Sequence, residues 1–211
     1  MEFWHNRWMS QQTGWHRAEF NDLLVKHWST IGATAQGEVL VPLCGKSLDM
    51  VWLAEQGHTV VGLDMVKQAI ETFFEEQGLE VESTEHDHHT RHVHPPFTLL
   101  HGNVLEIKPK TVQADAWYDR AAMIALPVES REAYVAQLRQ QTKPGAVGLL
   151  ITFAYPQEQM QGPPFSLQDE HVFELFSEGF DVECLETREL EDEKERGLSS
   201  LSTSVFKIQK T

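Results

Sequence analysis

Residues 38–64 read EVLVPLCGKSLDMVWLAEQGHTVVGLD, and the order of residue types in them decides the fold. Glu38-Val39-Leu40-Val41-Pro42 is a short apolar run closed by a proline, which has no N–H to continue a ladder; this is the pattern of a strand buried on both faces of a parallel sheet. From Ser47 through Gln56, Met50, Val51 and Ala54 share one helical face, with Ser47 placed to cap the helix and Gly57 just past its end. Thr59 to Leu63 is a second apolar strand. A strand, a short crossover helix and another strand make one parallel βαβ unit.

The same alternation continues on both sides. Phe20, Leu23, Leu24, Trp28 and Ile31 predict an amphipathic helix over 18–31, ahead of the first strand. Ile70, Phe73 and Phe74 lie on a second crossover helix that stops at Gly78, and a polar loop follows. Strands are expected at 97–100 and 114–118, a helix at 129–141, and a strand at 147–153 behind Gly145. A helix over 170–177, an extended segment over 180–185 and a closing strand over 202–208 complete the pattern. The expected class is α/β, a Rossmann-like, mostly parallel sheet with helices on both faces. No repeat or linker divides the chain, so 1–211 is expected to be a single domain.

Composition narrows the partners. Lys and Arg total 17 against 32 Asp and Glu, a net charge of −15. Nucleic acid and anionic membrane repel such a surface, so neither is expected. Cys44 and Cys184 are too few for a disulfide framework and lack zinc spacing. The start, with Glu2, Trp4, His5, Asn6 and Arg7, has no apolar signal core, and no run approaches the ~18 apolar residues of a membrane span. A cytoplasmic location is expected, with a small molecule as partner and a monomer favoured.

In a sheet of this kind, ligands sit beyond the carboxyl ends of the strands. The loop there is Leu43-Cys44-Gly45-Lys46-Ser47. Gly45-Lys46-Ser47 mimics the end of a phosphate-binding loop, but position 40 is Leu40 where a second glycine is required, so no phosphate cradle forms. A nucleoside site fits better. Gly45 allows close backbone approach, and Asp64, at the end of the second strand, can accept hydrogen bonds from ribose hydroxyls while repelling a 2′-phosphate.

Longer strings are more specific. Phe3-Trp4-His5-Asn6-Arg7-Trp8, Gly14-Trp15-His16, Pro42-Leu43-Cys44-Gly45-Lys46-Ser47, Tyr118-Asp119-Arg120-Ala121-Ala122, Ile124-Ala125-Leu126-Pro127 and Gly162-Pro163-Pro164-Phe165 occur in this order. With them the chain resembles the thiopurine S-methyltransferase family, in its bacterial branch. That resemblance implies a class I methyltransferase fold of seven strands with the last antiparallel. S-adenosyl-L-methionine is the implied cofactor, and residues 1–35 form an N-terminal segment that covers it. It places Trp8 over the methionine end, Leu43 at the first strand end, Asp64 at the ribose, Asn103 and Val104 about the adenine, and Arg120 near the carboxylate or the acceptor. The chain departs from the family at Asp64, where Glu is usual, and at Pro156 beside Tyr155, where the family carries an acid.

The chemistry asks little of side chains. A sulfonium methyl is already activated, and orienting two reactants can contribute about 7–11 kcal/mol. Thiols ionise readily, so no nucleophile–base pair is needed. Arg120 is the expected catalytic group, a fixed positive charge for an anionic acceptor, with Trp8, Trp15 and Phe165 as apolar walls; Trp15 and Phe165 are the expected acceptor contacts. His16 suits either a base or packing, and Cys44 a small buried filler. His86, His88, His89, His92 and His94 read as a solvated loop with no metal, and the acidic run Glu189, Glu191, Asp192, Glu193 and Glu195 as another. Arg188 or Arg196 could reach the acceptor. The expected reaction is methyl transfer to a small aromatic or heterocyclic thiol, with selenium or tellurium species as related acceptors. A nicotinamide oxidoreductase and a non-catalytic adenosyl-binding protein are the alternatives.

Overall fold

The computed structural model describes residues 2–10, 12–191 and 197–211. Among these residues nine strands form one sheet. They are β1 (Glu38–Pro42), β2 (Thr59–Asp64), β3 (Glu82–His86), β4 (His89–His94), β5 (Phe97–His101), β6 (Ala114–Arg120), β7 (Thr142–Ile151), β8 (Phe180–Glu189) and β9 (Ser202–Lys210). Their order is β3-β4-β5-β2-β1-β6-β7-β9-β8. The helices are α1 (Glu2–Met9), α2 (Asp22–His27), α3 (Asp49–Glu55), α4 (Lys67–Gln77), α5 (Arg131–Gln141) and α6 (Asp169–Leu175).

Strands β5, β2, β1, β6 and β7 pair in parallel, and β9 runs antiparallel between β7 and β8. Alternation along each strand divides two cores. Val39, Val41 and Tyr118 join Met50 and Leu53 of α3 and Phe73 of α4 on one face. Leu40 and Trp117 join Tyr134 and Leu138 of α5 and Phe176 on the other. Each fully buried Leu or Phe side chain is worth about 1.5–3 kcal/mol against exposure, which is what holds the helices down.

The seven expected strands are all present, and the sheet exceeds that number by a hairpin. The segment expected as a polar loop is β3 and β4, paired antiparallel from Glu82↔Val93 to His86↔His89, and β4 pairs on to β5. Neither strand carries an apolar alternation, and every residue of β3 is exposed. Cross-strand backbone pairing extends the sheet where side-chain pattern gives no signal. His86, His89, His92 and His94 are therefore on strands and His88 is in the turn between them, with His86 and His89 stacked 4.7 Å apart. His92 is buried, with Nδ1 2.8 Å from the Ser83 hydroxyl.

The helix expected over 18–31 is shorter. Asn21 terminates it, its Oδ1 accepting from Leu23 N and Leu24 N, and a 3₁₀ turn over Trp28–Thr30 follows α2. The Ser47 hydroxyl accepts from Asp49 N at 3.2 Å, although α3 itself begins at Asp49. Of the acidic run, Glu189 ends β8 and Glu191 is exposed. Asp192, Glu193, Glu195 and Arg196 lie outside the described residues. Among the described residues no helix is long and apolar enough to cross a membrane.

Candidate active site

The strand order reverses between β1 and β6, each of which continues its own side of the sheet, and a cavity of about 630 Å³ opens there. That volume is in the range of small-molecule sites. Its wall includes Leu43, Gly45, Asp64 and Arg120 from the strand ends, with Trp8 and Trp15 from the N-terminal segment. Six of the expected site residues thus meet in one place. Asn103, Val104 and Phe165 do not border it. Asn103 is engaged locally, accepting from Leu105 N and donating to Glu106, and Val104 is buried in the core. The Phe165 ring folds back over Gly162, while Pro163 and Pro164 of the same loop reach the cavity.

The loop after β1 is held by Asp64. Its Oδ2 accepts from Gly45 N at 2.8 Å and its Oδ1 from Val66 N at 2.8 Å. Burial raises its carboxyl above the usual range, with those two bonds acting against the rise. Each oxygen keeps a second lone pair, so the carboxylate can still accept from a diol; in this respect the donor set fits an adenosyl ligand. Leu43 and Gly45 both adopt left-handed backbone, φ 47° and 53°. The room left by the missing side chain of Gly45 is filled by His16, whose Cε1 would lie 2.6 Å from a β-carbon there.

His16 packs between Trp8 and Trp15, at 5.0 and 5.7 Å between ring centroids. Its Nε2 is buried with no hydrogen-bond partner among the described residues. Burial, then Lys46 and Arg120, push the imidazole down to about 4, so it is neutral and a poor base for a thiol. A pH dependence follows. The folded value lies below the ordinary 6.5, so the stability this ring contributes is complete above pH 6.5 and is lost as pH falls toward 4. The full loss is about 2–3 kcal/mol, less what solvent screening removes. Tryptophan fluorescence of Trp4, Trp8 and Trp15 should therefore report loosening of the N-terminal segment over that range, and His16→Gln should abolish it. Identical titrations in both proteins would refute this account.

Arg120 ends β6 with its guanidinium in the cavity wall, Nη2 donating to Trp15 O at 3.3 Å. Among the described residues it has no carboxylate partner. Its neighbour Asp119 points the other way, accepting from Tyr134 OH at 2.7 Å. Arg188 also borders the cavity, but its charge is taken by Asp22 at 2.6 Å and Glu186. Cys44 is buried, and burial with Asp64 nearby raises its thiol well above the usual range, which suits a filler and not a nucleophile.

Sequence reading missed what anchors the segment over the cavity. Asp49 accepts from Asn21 N at 2.8 Å with Oδ1 and from Tyr118 OH at 2.9 Å with Oδ2, joining the start of α2 to β6. Asp49 lies within the α3 stretch, and nothing in its spacing marks a buried carboxylate 3% exposed. Among the described residues no group of three or more His, Cys, Asp or Glu is arranged to hold a metal ion.

Comparison with known proteins bears on this arrangement. The family model described as Thiopurine S-methyltransferase (TPMT) matches residues 1–211. A thiopurine S-methyltransferase of Shewanella baltica is 42% identical over 190 residues, covering 89% of this chain and 87% of that protein. One of Pseudomonas fluorescens is 38% identical over 214 residues, covering 99% and 96%. Among solved structures, a Burkholderia thailandensis 1,6-didemethyltoxoflavin-N1-methyltransferase with bound S-adenosylhomocysteine superposes with a TM-score of 0.70. It is 15% identical and covers 100% of this chain and 86% of that one, a likeness of fold. On the strength of the full-length match and the relatives near 40% identity, this chain belongs to the thiopurine S-methyltransferase family.

Proposed function

We propose that the acceptor is a small aromatic or heterocyclic thiol, methylated as its thiolate beside Arg120. The enzyme class itself, S-adenosylmethionine-dependent methyl transfer to sulfur, follows from the family, and neither a nicotinamide oxidoreductase nor a non-catalytic adenosyl-binding protein has support. Bound S-adenosylmethionine supplies an activated methyl group. Leu43, Gly45 and Asp64 would hold it at the strand ends, and Trp8 would cover it. Asn103 and Val104, beyond the cavity wall, would reach the adenine only through movement of the loop after β5.

The carrying observation is a guanidinium with no acid partner among the described residues, facing a cavity walled by Trp15, Pro163 and Pro164. Such a charge lowers the free energy of a thiolate, and flat apolar walls suit an aromatic ring. No general base is required, because thiols of this type are substantially ionised near neutrality. His16, neutral and pinned against Gly45, packs the cover. Phe165, folded over Gly162, acts through the rigidity of its loop and reaches an acceptor only after rotating. Selenium and tellurium nucleophiles would use the same position. We further propose one domain over 1–211, with 1–35 as the cover, acting as a monomer in the cytoplasm without nucleic acid or membrane. The free thiols of Cys44 and Cys184 and the −15 net charge support the last points.

The test offers the protein labelled cofactor with aromatic thiols, aliphatic thiols, phenols and anilines, each product being identified by mass. Methyl thioethers should form fastest from the aromatic thiols. Transfer restricted to oxygen or nitrogen acceptors would refute the reading.

A further inference from the structure

The turn that presents Arg120 contains a residue in an unfavourable conformation. Ala121 has φ 72° and borders the cavity. Left-handed backbone strains any residue with a β-carbon, and such strain persists only where neighbours over-determine it. Of the four non-glycine residues with positive φ among the described residues, Leu43 and Ala121 both lie in the cavity wall.

The determinant at Ala121 lies outside the cavity. Asp119 is 1% exposed, on the far face of β6 from Tyr118. Its Oδ1 accepts from Ala122 N at 3.0 Å and Met123 N at 3.2 Å, closing the turn around Ala121. Its Oδ2 accepts from Tyr134 OH at 2.7 Å, which fixes the carboxylate to α5. Arg131, also on α5, faces it as the nearby positive charge and donates from Nη2 to Ser166 O at 3.1 Å. Ser166 in turn bonds Tyr155, whose hydroxyl donates to Pro164 O at 2.6 Å. One buried network thus touches the turn behind Arg120 and the proline loop across the cavity.

We infer that Asp119 is the positioning residue for Arg120: by holding Ala121 left-handed, it aims the guanidinium into the cavity and against Trp15. This rests on the proposed role of Arg120. What the turn uses is the Oδ1 acceptor that Asp119 offers to Ala122 N and Met123 N. Burial pushes Asp119 up to about 6 despite three hydrogen bonds, so its ionised form works against the fold at neutral pH. An apolar residue would avoid that opposition but would leave the N–H groups of Ala122 and Met123 without this acceptor.

The experiment measures kcat, KM and thermal stability for four variants. Asp119→Ala should lower kcat about 10- to 100-fold, as a reacting group displaced by ~1 Å does. Asp119→Asn keeps the Oδ1 acceptor without the charge, and should recover kcat to within about threefold of the parent with no loss of thermal stability. Adding Ala121→Gly to Asp119→Ala should recover part of kcat, because glycine takes φ 72° without support. The inference is overturned if Asp119→Ala keeps its kcat and loses only thermal stability, or if glycine at 121 restores stability but not kcat. Where Asp119→Ala does not fold, a tenfold or greater fall in kcat for folded Asp119→Asn overturns it equally. Arg120→Ala, run alongside, separates the two claims. An unchanged kcat there refutes the role of Arg120, whereas a slow Arg120→Ala beside a fast Asp119→Ala refutes the positioning alone.

Discussion

Arg120→Ala is expected to lower methyl transfer to an aromatic thiol about 100- to 1,000-fold, the usual consequence of deleting one preorganised group that faces developing or resident charge. The guanidinium lies at the end of β6; among the described residues it is bonded only to the Trp15 carbonyl, and no acid there neutralises it. Its field is strong enough to be one of the causes that depress His16. A thiolate entering the cavity would meet that field in a wall that excludes most water, where the attraction exceeds its value in bulk solvent. Arg120→Lys should recover only part of the rate, since an ammonium cannot both reach the acceptor and keep the Trp15 contact in a planar fork. Rapid-quench single turnovers with saturating cofactor measure the chemical step directly. The pH dependence adds a second readout: without Arg120, activity should shift to higher pH, because the acceptor must then ionise unaided. A single-turnover rate within twofold of the parent would remove Arg120 from the mechanism.

What was legible in the sequence divides along physical lines. The central strands could be read because burial on both faces forces continuous apolar runs such as Val39-Leu40-Val41 and Val60-Val61. The β3–β4 hairpin could not. Its residues are polar apart from Val93, and what makes them strands is backbone pairing, β4 to β5 and β3 to β4, which leaves no trace in side-chain pattern. The start of α2 was misplaced for a related reason. Phe20 has helical spacing but is exposed, and the Asn21 cap overrides it. At the site, positions next to strand ends were readable, because topology alone brings Leu43, Asp64 and Arg120 together. Phe165 was not, since the direction of a ring on a proline-rich loop depends on tertiary contacts. Asp119 and Asp49 also escaped. Each reads as an ordinary surface acid, and only the fold shows Tyr134 and Tyr118 waiting for them.

Asp64→Asn should weaken binding of the demethylated cofactor, S-adenosylhomocysteine, about 100-fold or more. Two charge-assisted hydrogen bonds from ribose hydroxyls are worth roughly 1.5–3 kcal/mol each, and the same carboxylate shapes the loop they rest on. Both of its oxygens already accept backbone N–H groups, from Gly45 and Val66. An asparagine can accept only one of these; its NH₂ would face the other N–H, donor against donor, and open the turn at Gly45. Asp64→Glu keeps the charge and adds reach, but pushes the carboxylate past the two N–H groups that Asp64 clasps. A loss of about 10- to 100-fold is expected, since one of the two charge-assisted bonds is lost and the other survives. The sign with pH can also be worked out. Burial raises the Asp64 carboxyl, so lowering pH through that raised value favours the protonated, better-buried form of the free protein and relieves its opposition to folding. Ribose hydroxyls held by Asp64 would donate to its ionised form, so acid should weaken cofactor binding while it stabilises this site. Calorimetric titrations of S-adenosylhomocysteine at several pH values, beside thermal unfolding of the free protein, separate the two trends. An Asp64→Asn protein that folds and binds S-adenosylhomocysteine as tightly as the parent would show that the sugar rests elsewhere, and the assignment of the cavity to the cofactor would fall with it.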